Sequence, residues 1–185
     1  MRFGILGTGV VGKTIAARLA GLEHEVMVGT RDPEDTMSRT EPDAEVLKLA
    51  SEDDFSGKVV IDLSNPLDFS NGMPPSLSVS NTDSLGEQIQ RRCPEAKVVK
   101  TLHTMNAYLM VDPAQLAGAD HSVSVGGNDP EAKASVTHFL RSFGWTDIID
   151  LGDITTARGT EMKLSGWLRL FGALQKPDFN FKIVR

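Results

Sequence analysis

Hydrophobic and polar positions along this chain repeat on two different periods. Short apolar runs fall at residues 2–6, 25–28, 58–63, 97–102, 121–125 and 146–151, most of them followed by glycine or by a polar turn residue. Runs of this length between turn signals predict strands, and the one at 58–63 is apolar enough for a central place in a sheet. Between the runs, apolar residues recur at helical spacing: Val11, Ile15, Ala16 and Leu19, then Leu85 and Ile89 beside Arg92, then Phe139, Leu140 and Phe143. Gly21 ends the first pattern, Thr82 or Asp83 caps the second before Pro94 stops it, and Pro130 opens the third at its first position. Strands alternating with helices imply an α/β fold with a mostly parallel sheet, whose first strand–helix–strand unit should be right-handed.

Other stretches break this alternation. Residues 34–54 are polar and rich in acid; 43–50, with Val46, Leu47 and Leu49, have the pattern of a short helix, and the charges read as a solvated face. Residues 68–81, with Gly72, Pro74 and Pro75, read as an irregular surface loop, and Asp112 with Pro113 starts a short helical turn through Leu116. Residues 155–174 carry Met162, Leu164, Trp167, Leu168, Leu170, Phe171 and Leu174, a spread wider than the stripe of a surface helix. Such a helix is buried under the sheet or packs on another subunit, since Trp and Phe are typical interface anchors. The terminal residues 179–184 (FNFKIV) read as an extended piece that docks.

The turn after the first run carries the candidate chemistry. Gly7, Gly9 and Gly12 are spaced G-x-G-x-x-G between a strand and a helix. In that setting Gly7 permits a tight turn, Gly9 admits a pyrophosphate to the backbone, and Gly12 lets the helix approach the sheet. The free amides at the helix start, among Thr8, Val10 and Val11, face the anion. A structural glycine turn in another α/β protein is the alternative; the context favours a Rossmann-like doubly wound sheet that binds a dinucleotide. An NAD site usually places Asp or Glu at the end of the second strand, and here stand Gly29, Thr30 and Arg31. A hydroxyl and a guanidinium suit a 2′-phosphate, so NADP is the expected cofactor. Asp32 dissents, since it can reach a ribose hydroxyl or cap a turn with Pro33, and Arg31 also reads as a solvated surface arginine.

Ligands of open α/β sheets lie beyond the carboxyl ends of strands. Ser64, Asn65, Pro66 and Leu67 follow one strand, and His103, Thr104, Met105, Asn106 and Ala107 follow the next, so Asn65, Pro66, His103, Thr104, Asn106 and Ala107 are the second set of cofactor candidates. A turn set by Asn-Pro explains the first group equally. The ordinary pKa of His103 suits proton transfer, although a hydrogen-bonding loop residue is the more frequent role. No nucleophile triad, paired carboxylates or metal-ligand spacing stands out, so no catalytic side chain beyond His103 and no metal site is expected.

Composition narrows the partners. With 40% hydrophobic residues, 185 positions suffice for one substantial core and an appendage. A net charge of -6 argues against a general nucleic-acid surface, so phosphate must be gripped locally. Cys93 is the only cysteine, which leaves no disulfide framework and fits a reducing cytoplasm. No apolar run is long enough to span a bilayer and no leader pattern precedes the first strand. The expectation is a soluble cytoplasmic protein with a small-molecule partner, without nucleic-acid or membrane partners.

The stretch GILGTGVVGKTIAARLAGLEHEVMVGTRDP, the segment KTLHTMNA, the turn GGND, the helix start ITTARGTEM and the terminal FKIV resemble the NADP reductases that use the deazaflavin coenzyme F420, and the related NADP-binding domain of ferric reductases. The resemblance implies that Thr8 to Val11 and the Thr30–Arg31 pair hold NADP, that His103 to Ala107 lie near the nicotinamide, and that a C-terminal helical part helps form the deazaflavin site and a homodimer. Hydride then passes directly between the two cofactors, which needs distance and orientation more than side-chain acid or base. The implied organisation is an NADP-binding Rossmann-like domain over 1–154, shortened between 32 and 57 relative to the family, and a C-terminal helix and tail over 155–185. A non-catalytic NADP-binding module and an NADPH-dependent reductase of another small substrate are the alternatives.

Overall fold

The first strands and helix form where the hydrophobic pattern places them. The structure, a computed structural model, describes residues 1–29 and 52–185. The chain divides into two compact units, Met1–Asp54 and Phe55–Arg185. In the first, β1 (Arg2–Leu6) and β2 (Glu25–Gly29) pair in parallel, Arg2 opposite Glu25 and Leu6 opposite Gly29. Helix α1 (Val10–Gly21) connects them and buries Ile15 and Leu19, the inward positions of its apolar pattern. Thr30, Arg31, Asp32 and the helix expected over 43–50 lie outside the described residues.

The second unit begins with β3 (Val59–Asp62). Residues 68–81 are less irregular than expected, because β4 (Leu67–Asp68) and β5 (Ser76–Leu77) form a short antiparallel hairpin. Helix α2 (Leu85–Arg92) follows, capped by Ser84 rather than by Thr82 or Asp83. The Ser84 hydroxyl accepts from the Glu87 amide at 3.2 Å and donates to the Glu87 carboxylate at 2.7 Å, so residues three apart satisfy the helix start. Asp83 instead pairs with Arg91.

Strand β6 (Lys97–Thr101) leads into α3 (Ala107–Val111), a helix too short to show a period in sequence. The expected short helical turn follows at Pro113–Gln115. Then come β7 (Ser122–Gly127), α4 (Pro130–Ser142), β8 (Asp147–Asp150) and α5 (Ala157–Leu174). The sheet of this unit has the order β3-β6-β7-β8. Its β3–β6 and β7–β8 pairs are parallel, whereas β6 and β7 are antiparallel. Two expectations change accordingly. The 58–63 run is a terminal strand within this sheet, and Gly126 and Gly127 belong to β7, opposite Lys100 and Val99, instead of forming a turn. The link from β6 to β7 holds one five-residue helix and short turns, so the chain re-enters the sheet from the end it left.

The core of the unit lies around β6 and β7: Val98, Val99, Val123 and Val125 are buried with Val136 and Leu140 of α4 and with Trp145. The Trp145 indole donates to the Met110 carbonyl at 3.0 Å, so its one polar atom is satisfied. The terminal tail docks as expected: the Ser122 amide donates to the Phe181 carbonyl, Lys182 pairs with Asp120, and Arg185 pairs with Asp147. Phe179 of the tail stacks on Trp167 of α5. The wide apolar spread of α5 is thus divided. Ala157 and Leu164 are buried, Trp167 lies under the tail, and Leu170, Phe171 and Leu174 are exposed.

Candidate cofactor site

The glycine turn is built almost wholly from backbone. Gly7 has φ of 105°, a conformation that other L-residues rarely adopt. A Cβ on Gly12 would overlap the Gly7 carbonyl oxygen, so only glycine lets the helix start close over the turn. Helix α1 follows Gly9, which offers no side-chain cap. The first amides of the helix therefore have no intrahelical acceptor, and the positive end of the helix dipole opens onto them. An uncapped helix start beside a glycine-only turn fits the pyrophosphate of a dinucleotide.

In the second unit, the segments after β3 and β6 come together. The Asn65 side-chain amide donates to the His103 carbonyl at 2.8 Å, and Pro66 and Thr104 are buried beside them in sequence. Leu102, just before His103, has φ of 59°, an uncommon conformation for a non-glycine residue that turns the chain sharply at the strand end. Asn106 accepts from the Tyr108 amide at 2.9 Å and caps α3, which begins at Ala107, so its carboxamide oxygen is already engaged. The first set of candidates, Gly7 to Gly12, belongs to the other unit.

His103 is buried, and its ring nitrogens lie near the Thr101 and Thr160 backbone without a well-formed hydrogen bond; the Asn65 carboxamide oxygen is buried without a partner. Burial, followed by the nearby positive charge of Lys100, lowers the His103 pKa to about 3. The imidazole is therefore neutral at ordinary pH, with one donor and one acceptor nitrogen, and holds no ready proton to deliver. Buried polar atoms without partners are costly in a folded protein and call for an explanation, and the Trp167 indole and the Asn180 oxygen are in the same position.

Beneath these segments lies a charge network that the strand patterns conceal. Lys100, inside the apolar run of β6, donates to Asp62 at 2.8 Å and to the Ser64 carbonyl at 2.6 Å, and its ammonium pairs with the Glu161 carboxylate at 3.0 Å. Glu161 also accepts from the Leu85 and Gly86 amides at the start of α2, and Asp62 accepts from the Ser64 amide and hydroxyl. All three charged residues are buried. Nearby, Arg158 grips Glu87 through two hydrogen bonds, which lower the Glu87 pKa. The available signal was a charged residue inside each strand pattern, Asp62 in VVID and Lys100 in KVVKT, since lone charges are rarely buried without partners.

A cleft of about 460 Å³ opens between the β4–β5 hairpin and α5, lined by Pro74, Leu77, Ser80, Met162, Ser165 and Arg169 among others. Among the described residues, no group of His, Cys, Asp and Glu is arranged to hold a metal ion, and no helix is long and apolar enough to cross a membrane.

Comparison with known proteins bears on these features. Residues 2–44 match the family model described as NADP oxidoreductase, coenzyme F420-dependent. A solved structure from Arthrobacter sp. FB24, provisionally named an F420-dependent NADP reductase, is 52% identical and covers 98% of both chains with a TM-score of 0.94. The chain belongs to the family of coenzyme F420-dependent NADP oxidoreductases. That relationship also makes the fold Rossmann-like α/β with a C-terminal helix. Metalloreductase STEAP3 of Rattus norvegicus is 25% identical over 183 residues, 86% of this chain; the chain spans about a third of that curated relative, 36% of its length. An imine reductase from Pseudomonas sp. shares the fold at 17% identity, with a TM-score of 0.55 over 94% of this chain and 62% of that one.

Proposed function

We propose that this family member is an NADP(H)-dependent oxidoreductase that moves a hydride between nicotinamide and a deazaflavin coenzyme of the F420 type. The observation that carries the cofactor half is the glycine-only turn at Gly7 and Gly12 opening onto an uncapped helix. Gly7, Thr8, Gly9, Val10, Val11 and Gly12 hold the pyrophosphate, and Thr30 with Arg31 holds the 2′-phosphate. Asn65, Pro66, His103, Thr104, Asn106 and Ala107 form the nicotinamide side. The unpartnered Asn65 oxygen and the neutral His103 ring offer acceptors and a donor, the complement of a carboxamide.

When bound, NADPH supplies a hydride at nicotinamide C4, and the oxidised deazaflavin takes up that hydride and a proton. The protein's part is to bind, orient and exclude water. The cleft beside α5 is of a size that suits a second small molecule, and Arg169 with Ser80 and Ser165 gives it polar contacts at its margin. Residues 1–154 form the NADP-binding part and 155–185 the acceptor side and the dimer contact, with the exposed Leu170, Phe171 and Leu174 of α5 facing a second copy. A steady-state assay with NADPH and oxidised deazaflavin tests the reading. Hydride transfer is expected, whereas tight NADPH binding with no transfer would leave a binding module. Transfer only to another acceptor would assign a different reductase.

A further inference from the structure

Lys100, Asp62 and Glu161 are buried charges that bond one another, and two of them also hold Ser64, in the segment after β3. The Lys100 ammonium donates to Asp62 and to the Ser64 carbonyl, and it forms an ion pair with Glu161 at 3.0 Å. Asp62 answers by accepting the Ser64 amide at 2.9 Å and hydroxyl at 2.6 Å. Ser64 is thereby held at its amide, its hydroxyl and its carbonyl. Asn65 is the next residue, and its side chain reaches across to the His103 carbonyl at 2.8 Å. Glu161 extends the same network to the first amides of α2 at 2.9 and 3.0 Å and fixes α5 against the strand ends.

The network therefore ends on two segments that hold buried polar atoms without partners, as Trp167 and Asn180 do elsewhere. We infer that Lys100, with Asp62 and Glu161, is a positioning residue for hydride transfer: it fixes Ser64 so that Asn65 and His103 present their free polar atoms to the nicotinamide. This rests on the proposed reading of the Asn65–His103 edge as the nicotinamide side. Lys100 acts through Ser64, Asn65 and the field at His103, and touches no reacting atom. A network serving stability alone would have no reason to hold Ser64 at three separate atoms beside a residue with an orphaned carboxamide oxygen. Dinucleotide affinity, by contrast, belongs to the glycine turn and Arg31, so the two properties should separate.

The test uses the full-length protein and NADPH. Removing Lys100 alone strands two buried carboxylates, so the informative variant is the charge-free Asp62→Asn/Lys100→Met/Glu161→Gln protein, which removes all three charges together. Circular dichroism checks its fold. The expected result is an NADPH dissociation constant within about threefold of wild type and a single-turnover transfer rate lower by about tenfold or more. The emission of bound NADPH should also move toward that of the free nucleotide. A folded variant with wild-type emission and a transfer rate within about threefold of wild type would overturn the inference. The milder Glu161→Gln, which keeps the Lys100–Asp62 pair, should lower the transfer rate by about fivefold with the same shift in emission, and wild-type rate and emission there would overturn the inference if the triple variant does not fold. A wild-type protein that binds NADPH but transfers no hydride overturns the proposed reaction, and the emission comparison still decides the positioning role.

Discussion

The glycine turn and the β3–β6 edge prepare for a ligand in opposite ways. The turn leaves backbone amides free, and its residues are selected for having no side chain, as at Gly7 with φ of 105° and at Gly12 under the Gly7 carbonyl. The edge is selected for side chains: three buried charges satisfy one another and the Ser64 backbone, while Asn65 and His103 keep atoms without a well-formed hydrogen bond. A backbone-built site binds charge tightly and tolerates variation around it. A side-chain-built site sets orientation and depends on every member of its network. The difference assigns affinity to the first region and geometry of reaction to the second.

The strongest way to break this comparison is to strand the network's charges. Lys100→Met should lower the unfolding free energy by about 3–5 kcal/mol, because Asp62 and Glu161 lose their shared cation while buried. Urea unfolding measures it, and a loss below about 1 kcal/mol would show the carboxylates to be solvated. Next in size, Gly12→Val should cost about 2–3 kcal/mol of NADPH binding, as the added side chain forces the Gly7 carbonyl out of place. Calorimetry with unchanged affinity would refute the pyrophosphate assignment. Arg31→Ala should weaken NADP by about 1.5–3 kcal/mol more than it weakens NAD, and equal losses would remove Arg31 from the 2′-phosphate.

The smallest effect sharpens the other half. The His103 pKa lies near 3 when folded, below its ordinary value of 6.5, chiefly through burial and secondly through Lys100; the Asp62 charge and the nearby Thr101 and Thr160 backbone act the other way. Below about pH 6.5 the unfolded chain takes up the proton that the folded one refuses. The stability gained by keeping the ring neutral is thus present above pH 6.5 and is lost as pH falls toward 3. His103→Asn should flatten the acid limb of unfolding free energy by up to about 1.4 kcal/mol per pH unit. An unchanged slope would mean that the ring is hydrated.

The same contrast explains what could be read in advance. The glycine spacing was legible because a left-handed φ and a close backbone approach dictate residue type locally, within six positions. The six strand runs and three longer helices followed from burial period, and the docking tail from its apolar residues. Asp62, Lys100 and Glu161 were not legible as a unit, because their partnership spans a strand, its neighbour and a distant helix, and each alone looks like a misplaced charge. The Ser84 cap is hard to read from sequence because Thr82, Asp83 and Ser84 are all good caps, and only Glu87 three residues later distinguishes them. The direction of β7 depends on how the β6–β7 link folds, which periodicity does not report.

The central claim is direct hydride passage between two bound cofactors, and isotope transfer tests it most directly. NADPH carrying deuterium at the transferable C4 position is mixed anaerobically with the protein and oxidised deazaflavin in ordinary water, and the reduced product is analysed by mass spectrometry. The account predicts retention of the deuterium on the deazaflavin ring together with a primary isotope effect on the single-turnover rate. Reduced deazaflavin carrying solvent hydrogen alone, or NADPH bound tightly with no deazaflavin reduced, would contradict it.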